Sequence, residues 1–392
     1  DLDATVIGVV TDSGRLRCLH GGVAVGDLPV SALVDGAPRI EVERRRPARL
    51  AEHPLEFAAV ADPAAALRAL LGSPNVASRR WVTRQYDQLV GSGTVVRPGG
   101  DAAVVRLTPS PRAIAVSLDG NGRRCSLDPR RGGAEAVCEA ARNVACTGAR
   151  PAAVTNCLNF GNPERGEVGY ELAEAIEGMA EACEALGLPV VSGNVSLYNE
   201  SGGRPIHPTP VVGVVGVLED ASLAVAAGFR EPGDAVLVAG AGRSALDGSE
   251  YQRTVLGCSE GRIPEPDLAN ERALHAFLAA AADRRLLRSA HDVSGGGLAV
   301  CLVESALLGG VGVVAAAADL FGEGEGRAVV TAAPGDVGAL RELAGNLRLE
   351  LIGTVGGDRV VAGAAEVSLA EARRLYESAL PKLMGDDPEV TP

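Results

Sequence analysis

Aromatic residues are scarce, at 3% of 392 residues, although hydrophobic residues make up 46%. A sizeable core is therefore expected, built from Ala, Val and Leu. Such small side chains favour close packing of helix on sheet. The length suits two or three domains. No run of 18 apolar residues occurs, which excludes an obvious helical membrane span. No Gly-Lys-Ser/Thr follows a glycine-rich loop, and no G-x-G-x-x-G opens a helix. The common P-loop and dinucleotide fingerprints are thus absent. No C-x-x-C spacing occurs among the eight cysteines at 18, 125, 138, 146, 157, 183, 258 and 301. Most sit in apolar or Ala-rich runs. Buried free thiols in a reducing cytoplasm are expected, rather than disulfides or a metal site. Positive charge is also in deficit. The formal net charge of −13 argues against nucleic acid and anionic membranes as partners. A small phosphorylated ligand stays possible, since loops and helix N-termini bind phosphate locally. No signal-peptide pattern opens the chain, and its first residue is Asp1. The start of a longer natural chain is expected to be missing.

What is present reads as α/β. Short strands are expected at Ala4–Val10 and Arg15–Leu19, then a charged linker over 36–54. A helix is expected over Pro63–Leu71. From Ala113 the pattern alternates. Strands are expected at Ala113–Leu118, Ala152–Thr155, Pro189–Val191 and Val211–Leu218. Helices are expected over 132–146 and 167–186. The second has Val168, Leu172, Ile176, Met179, Cys183 and Leu186 on one face, with Gly187 as its stop. The pattern restarts near Gly228–Gly233. Ile7-Gly8-Val9-Val10, followed by Gly14-Arg15, matches Ile352-Gly353-Thr354-Val355, followed by Asp358-Arg359. If that match marks a duplication, the chain begins inside a repeated unit.

Three segments offer chemistry. Thr155-Asn156-Cys157-Leu158-Asn159-Phe160-Gly161-Asn162-Pro163-Glu164 follows a strand and precedes a helix. Its Asn side chains can donate and accept, as a nucleobase edge or ribose requires. They can equally satisfy a turn. In Ser192-Gly193-Asn194-Val195-Ser196-Leu197-Tyr198-Asn199-Glu200, Gly193 would admit a phosphate close to the backbone. There Asn194 can offer Mg²⁺ an oxygen, and Ser196 can bond a phosphate or substrate. An ordinary polar loop is the alternative. In Asp119-Gly120-Asn121-Gly122-Arg123, Asp119 could hold a metal and Arg123 a phosphate, although the run is also a common tight turn. His291-Asp292 looks like a dyad, but neighbours on a strand point to opposite faces, so no pairing between them is expected. Ser249-Glu250-Tyr251 and Glu304 suit capping or solvated roles better than catalysis.

These motifs, with Ala140-Ala141-Arg142-Asn143-Val144, Gly248-Ser249-Glu250-Tyr251 and His291-Asp292-Val293-Ser294, resemble the second half of the phosphoribosylformylglycinamidine synthase family. The resemblance spans nearly the whole chain. It implies a tandem duplication of the aminoimidazole-ribonucleotide-synthetase-like (PurM-like) α/β unit. Each unit has an ATP-binding A domain and an α/β B domain. Residues 1–50 would be the end of the first B domain plus linker, 51–221 the second A domain and 222–392 the second B domain. The implied reaction converts formylglycinamide ribonucleotide, with glutamine-derived ammonia, to the amidine through an ATP-made iminophosphate. By motif, Asn156 and Gly193 would contact ATP, Asn194 would bind Mg²⁺ and Ser196 would touch substrate. No residue of this chain is expected to be catalytic. The implied partners are the missing N-terminal half, a glutaminase subunit and a small bridging subunit, in the cytoplasm. The chain departs from the family at Gly295-Gly296-Gly297, where Asp-Gly-Gly is usual, and at Asn156, often Asp in relatives. A non-catalytic nucleotide-binding half is the competing reading. A stand-alone synthetase fits the motifs and the β tail less well.

Overall fold

A computed structural model describes residues 3–36, 38, 41–241, 244–324 and 326–386. Ala37, Arg39 and Ile40 of the expected linker and residues 387–392 lie outside them. The chain forms two units, residues 1–43 and 44–392.

In the first unit, Arg15–His20 pairs antiparallel with Val23–Pro29, and helix Val30–Val34 follows. Residues 4–10 form no strand, contrary to the expectation for Ala4–Val10. Val6, Ile7, Val9 and Val10 are exposed. A strand needs a ladder partner for its backbone groups, and a short apolar run supplies none. In the second unit, Arg359–Ala362 pairs antiparallel with Ala365–Ser368 before helix Leu369–Leu383. Each copy of the sequence match is thus followed by the same hairpin and helix.

The second unit has two lobes. The first holds a six-stranded sheet in the order Thr94–Val96, Ala103–Arg106, Ala113–Asp119, Thr209–Leu218, Arg150–Asn159, Val190–Ser196. All neighbours are antiparallel except the last pair, which is parallel. Helices Pro129–Cys146 and Gly166–Leu186 cover one face, burying Val104, Ala115, Val154, Val212 and Val214 beneath Val137, Ala141, Val144, Ala175 and Met179. The other face carries exposed Val116, Leu118 and Val215. Asp128 caps the first helix by accepting from Arg131 N, and Gly187 ends the second in the left-handed region at φ 70°.

The second lobe is a seven-stranded sheet in the order Ser289–Asp292, Ala328–Ala332, Ala235–Ala239, Leu349–Val355, Val313–Ala315, Arg359–Ala362, Ala365–Ser368. Helices Leu268–Asp283 and Gly297–Gly309 pack on it. Helix Pro63–Leu71 precedes the first lobe in sequence, yet buries Leu67, Leu70 and Leu71 in the core of the second. Ala145 and Cys146 of the first lobe share a core with Leu237, Leu274 and Leu278 of the second. The lobes are therefore joined by packed apolar surface. The charged segment read as a linker is fastened to this body from Arg45 onward. Arg45 N donates to Gly166 O, and Arg49 binds Ser126 O and Glu171. All eight cysteines are free thiols, five of them buried.

Candidate nucleotide edge and interlobe cleft

Asn156, Gly193, Asn194 and Ser196 come together, but on strands rather than in the loops the motifs suggested. Arg150–Asn159 runs on through the Asn-rich motif because both its edges are paired, one to Thr209–Leu218 and one to Val190–Ser196. The register sets Asn156 opposite Gly193, Cys157 opposite Asn194 and Asn159 opposite Ser196. Gly193 has a specific steric reason to be glycine. A Cβ there would lie 2.7 Å from Asn156 Oδ1. The Asn156 side chain thus lies across the space a larger residue would fill. Strand alternation puts Asn156 and Gly193 on the side of buried Val154 and Leu158. Asn194 and Ser196 fall on the opposite side. Asn194 Nδ2 lies 3.4 Å from Ser196 Oγ and 3.5 Å from Cys157 Sγ, which aims the Asn194 carbonyl oxygen elsewhere. Asn159 Nδ2 donates to Cys157 O at 3.1 Å and to Thr209 O at 3.2 Å, so this Asn serves the strand itself. Asn162 Oδ1 accepts from Glu164 N and shapes the turn that follows.

The Asp119-Gly120-Asn121-Gly122-Arg123 run divides its tasks. Asp119 ends its strand half-buried. Burial pushes its carboxyl up to about 6, against a hydrogen bond from Glu139. Asn143 Nδ2 lies 3.4 Å from Asp119 Oδ2. Asn121 caps helix Gly122–Leu127 by accepting from Arg124 N. Arg123, expected as a phosphate contact, is held instead by Glu250 at 2.6 Å and by Gly248 O. A buried carboxylate satisfies its charge within the protein. Glu250 also takes Asn75 Nδ2, and Ser249 caps helix Glu250–Val255. The Gly295–Gly297 turn is likewise occupied from within. Glu323 Oε1 accepts from Gly296 N and from Glu250 N, both at 2.7 Å.

A cleft of about 510 Å³ lies beside this run, lined among others by Asp119, Glu139, Ser294, Gly295, Glu304 and Tyr376. Behind it is a charge network that the sequence did not reveal. His291 Nδ1 meets Asp101 Oδ1 at 2.9 Å, and Nε2 meets Glu304 Oε2 at 3.2 Å. Tyr376 OH donates to Glu304 at 2.8 Å. Arg142, fully buried, binds Glu271 at 2.6 Å and Asp292 at 3.4 Å. His291 and Asp292 do approach each other, at 3.8 Å, contrary to the strand argument. Asp292 ends its strand, where strict alternation lapses, and Asp101 draws both residues in. Burial disfavours charge on His291, but Asp101 and Glu304 outweigh it and hold the imidazolium well above its usual pKa. Burial and the neighbouring Asp101 push Asp292 up to about 7. Asp101, His291 and Asp292 place one ligand atom each within 4.8 Å of one another, a donor set able to hold a cation. Asp101 follows Pro98-Gly99-Gly100 and heads an apolar run, while Arg142 sits in an Ala-rich helix. A lone charge in such a run was the available signal.

The model of the AIR synthase related protein N-terminal domain matches residues 99–218, and that of the C-terminal domain matches 231–365. Together they take in more than half of the chain, in tandem. The chain belongs to the AIR synthase related family. Within it the likeness is to PurL, as the motifs implied. It is 43% identical to the phosphoribosylformylglycinamidine synthase subunit PurL of Moorella thermoacetica, over 98% of this chain and 55% of that protein. For the Thermomicrobium roseum subunit the figures are 45%, 97% and 55%. The chain thus spans about half the length of these curated relatives. Among solved structures, Thermotoga maritima PurL complexed with FGAR superposes with a TM-score of 0.65 at 20% identity, over 80% of this chain and 53% of that one. PurLQS of the same organism superposes at 0.59 with 25% identity, over 88% and 50%. The expected tandem PurM-like α/β architecture is borne out. Among the described residues, no helix is long and apolar enough to cross a membrane.

Proposed function

We propose that this chain supplies one half of a nucleotide site in a cytoplasmic phosphoribosylformylglycinamidine synthase. The complete enzyme would convert formylglycinamide ribonucleotide to the amidine, with ATP activating the amide oxygen and glutamine-derived ammonia displacing phosphate. In this reading residues 1–50 end a preceding unit, 51–221 are the ATP-binding domain and 222–392 its companion domain. The single observation that carries the reading is the register that sets Asn156 against Gly193 and puts Asn194 and Ser196 at the same sheet edge. The edge is open, with Gly193 and Asn194 exposed, as a surface completed by another half would be. Asn156 would orient ATP, across a backbone kept bare at Gly193. Ser196 would meet the substrate. Asn194 fits Mg²⁺ as one neutral oxygen ligand, because its amide nitrogen is turned toward Ser196 Oγ and Cys157 Sγ. Bound Mg²⁺ would screen phosphate charge there, with the phosphates supplying the remaining negative ligands. The partners would be the N-terminal half, a glutaminase subunit and a small bridging subunit.

The test is calorimetric titration of the chain with ATP and Mg²⁺, alone and with the N-terminal half of a relative. Asn194→Ala should weaken Mg²⁺-dependent ATP binding about tenfold, as loss of a charge-assisted contact would. Unchanged Mg²⁺ dependence removes Asn194 from the metal. Amidine formation by the chain alone overturns the half-site reading.

A further inference from the structure

Three non-glycine residues among those described have positive φ: Ser92, Arg285 and Tyr198. Ser92 lies in a 3-10 turn, and Arg285 follows the C-cap of helix Leu268–Asp283. Both places commonly take the left-handed conformation. Tyr198, at φ 60°, ends no helix. It stands two residues beyond Ser196, between strand Val190–Ser196 and the small hairpin Glu200–Ser201/Arg204–Pro205. A bulky residue is disfavoured there, whereas Asn is tolerated. Asn199 stands next to it and does something else. Its Nδ2 donates to Ser196 O at 2.8 Å and Phe160 O at 3.2 Å. Tyr198 N donates to Gly161 O at 3.1 Å, and Asn199 N to Phe160 O at 3.0 Å. The turn after strand Arg150–Asn159 and the end of strand Val190–Ser196 thus hold Tyr198 in a conformation its side chain opposes. The residue gains little burial in return. It is 59% exposed, and its hydroxyl has no protein partner among the described residues. Strain kept without internal benefit points to a ligand.

We propose that Tyr198 is the stacking surface for the base of a nucleotide bound at the Asn156–Ser196 edge. The inference rests on the nucleotide reading above and adds the group that selects for a planar ring. A flat aromatic face recognises any base by stacking, without hydrogen-bond readout. Phosphate contacts remain with the strand edge.

The experiment titrates the 392-residue chain with Mg²⁺–ATP and with Mg²⁺–tripolyphosphate, which has no base. Tyr198→Ala should weaken ATP about tenfold and leave tripolyphosphate unchanged. Tyr198→Phe should bind both as the parent does. Tyr198→Gly should raise Tm by about 1 °C through relief of the backbone while losing ATP affinity as the Ala variant does. Equal ATP affinity in Tyr198→Ala overturns the proposal. So does equal loss of both ligands, and so does a lower Tm in Tyr198→Gly. A parent chain that binds neither ligand even when the N-terminal half of a relative is supplied overturns the nucleotide reading itself, and this inference with it.

Discussion

Asp119 shows how a strand end can set a pH dependence. Its carboxyl is raised by burial to about 6, against 3.8 for a free side chain. The folded state therefore holds this proton more tightly than the unfolded chain. The contribution favours the fold below pH 4 and is lost as pH rises through 6. Asp119→Asn keeps an acceptor for the Gly120 amide and carries no charge. It should be more stable than the parent above pH 6, by about 1–2 kcal/mol after solvent screening. The gain should shrink to nothing near pH 4. Urea unfolding at pH 4, 5, 6 and 7.5 measures both curves, and parallel curves would show that Asp119 is not the titrating group. At this scale the sequence was informative about residue type and less so about occupation. Asn156, Gly193, Asn194 and Ser196 were picked out by their motifs, but the parallel pairing that sets them side by side was not legible, because it joins strands separated by a whole helix. Arg123 was not legible as a structural residue, because its partner Glu250 lies 127 positions away.

Elements were readable where periodicity was strong. Helix Gly166–Leu186 was expected within one residue of its bounds, and its contact face was placed correctly except at Ile176, with Leu172 and Leu186 packed against the core. Val168, Met179 and Cys183 are buried as expected, whereas Ile176 is 44% exposed. Large apolar residues mark a face by their visible spacing. The closest contact is made instead by small residues, which carry no such mark. A methyl added at Gly178 would strike Arg130 O of the neighbouring helix, and one at Gly133 would strike Ala175 O. The two helices pack backbone against backbone at these glycines. Gly178→Ala should thus force the helices apart and cost about 3 kcal/mol. Gly187→Ala has open space for its methyl and would act through backbone strain alone, at φ 70°, costing about 1 kcal/mol. Thermal unfolding of the pair ranks them. A Gly187 variant as damaging as the Gly178 variant would mean that helix spacing is not the constraint.

The whole molecule depends on contacts between lobes that no local pattern announces. Alternating strands and helices were enough to expect two α/β lobes. They could not show that helix Pro63–Leu71 packs on the far lobe, or that Arg142 joins the two. Arg142 leaves the first lobe from helix Pro129–Cys146 and reaches Glu271 and Asp292 of the second, with all three side chains at most 4% exposed. Its removal would leave carboxylates in low dielectric with a smaller positive charge nearby. Breaking a buried pair in this way costs about 3–5 kcal/mol, more than the pair contributes relative to a well-packed apolar substitute. Arg142→Met should therefore lower stability by that amount. The triple variant Arg142→Met, Glu271→Leu, Asp292→Leu should recover much of the loss, because these two carboxylates are removed together with the guanidinium. If the ion pairs merely decorate a joint held by Ala145, Cys146, Leu274 and Leu278, the single variant will unfold at the parent's urea midpoint. If they are the joint, it will unfold in two steps, one for each lobe, and the triple variant will restore a single transition.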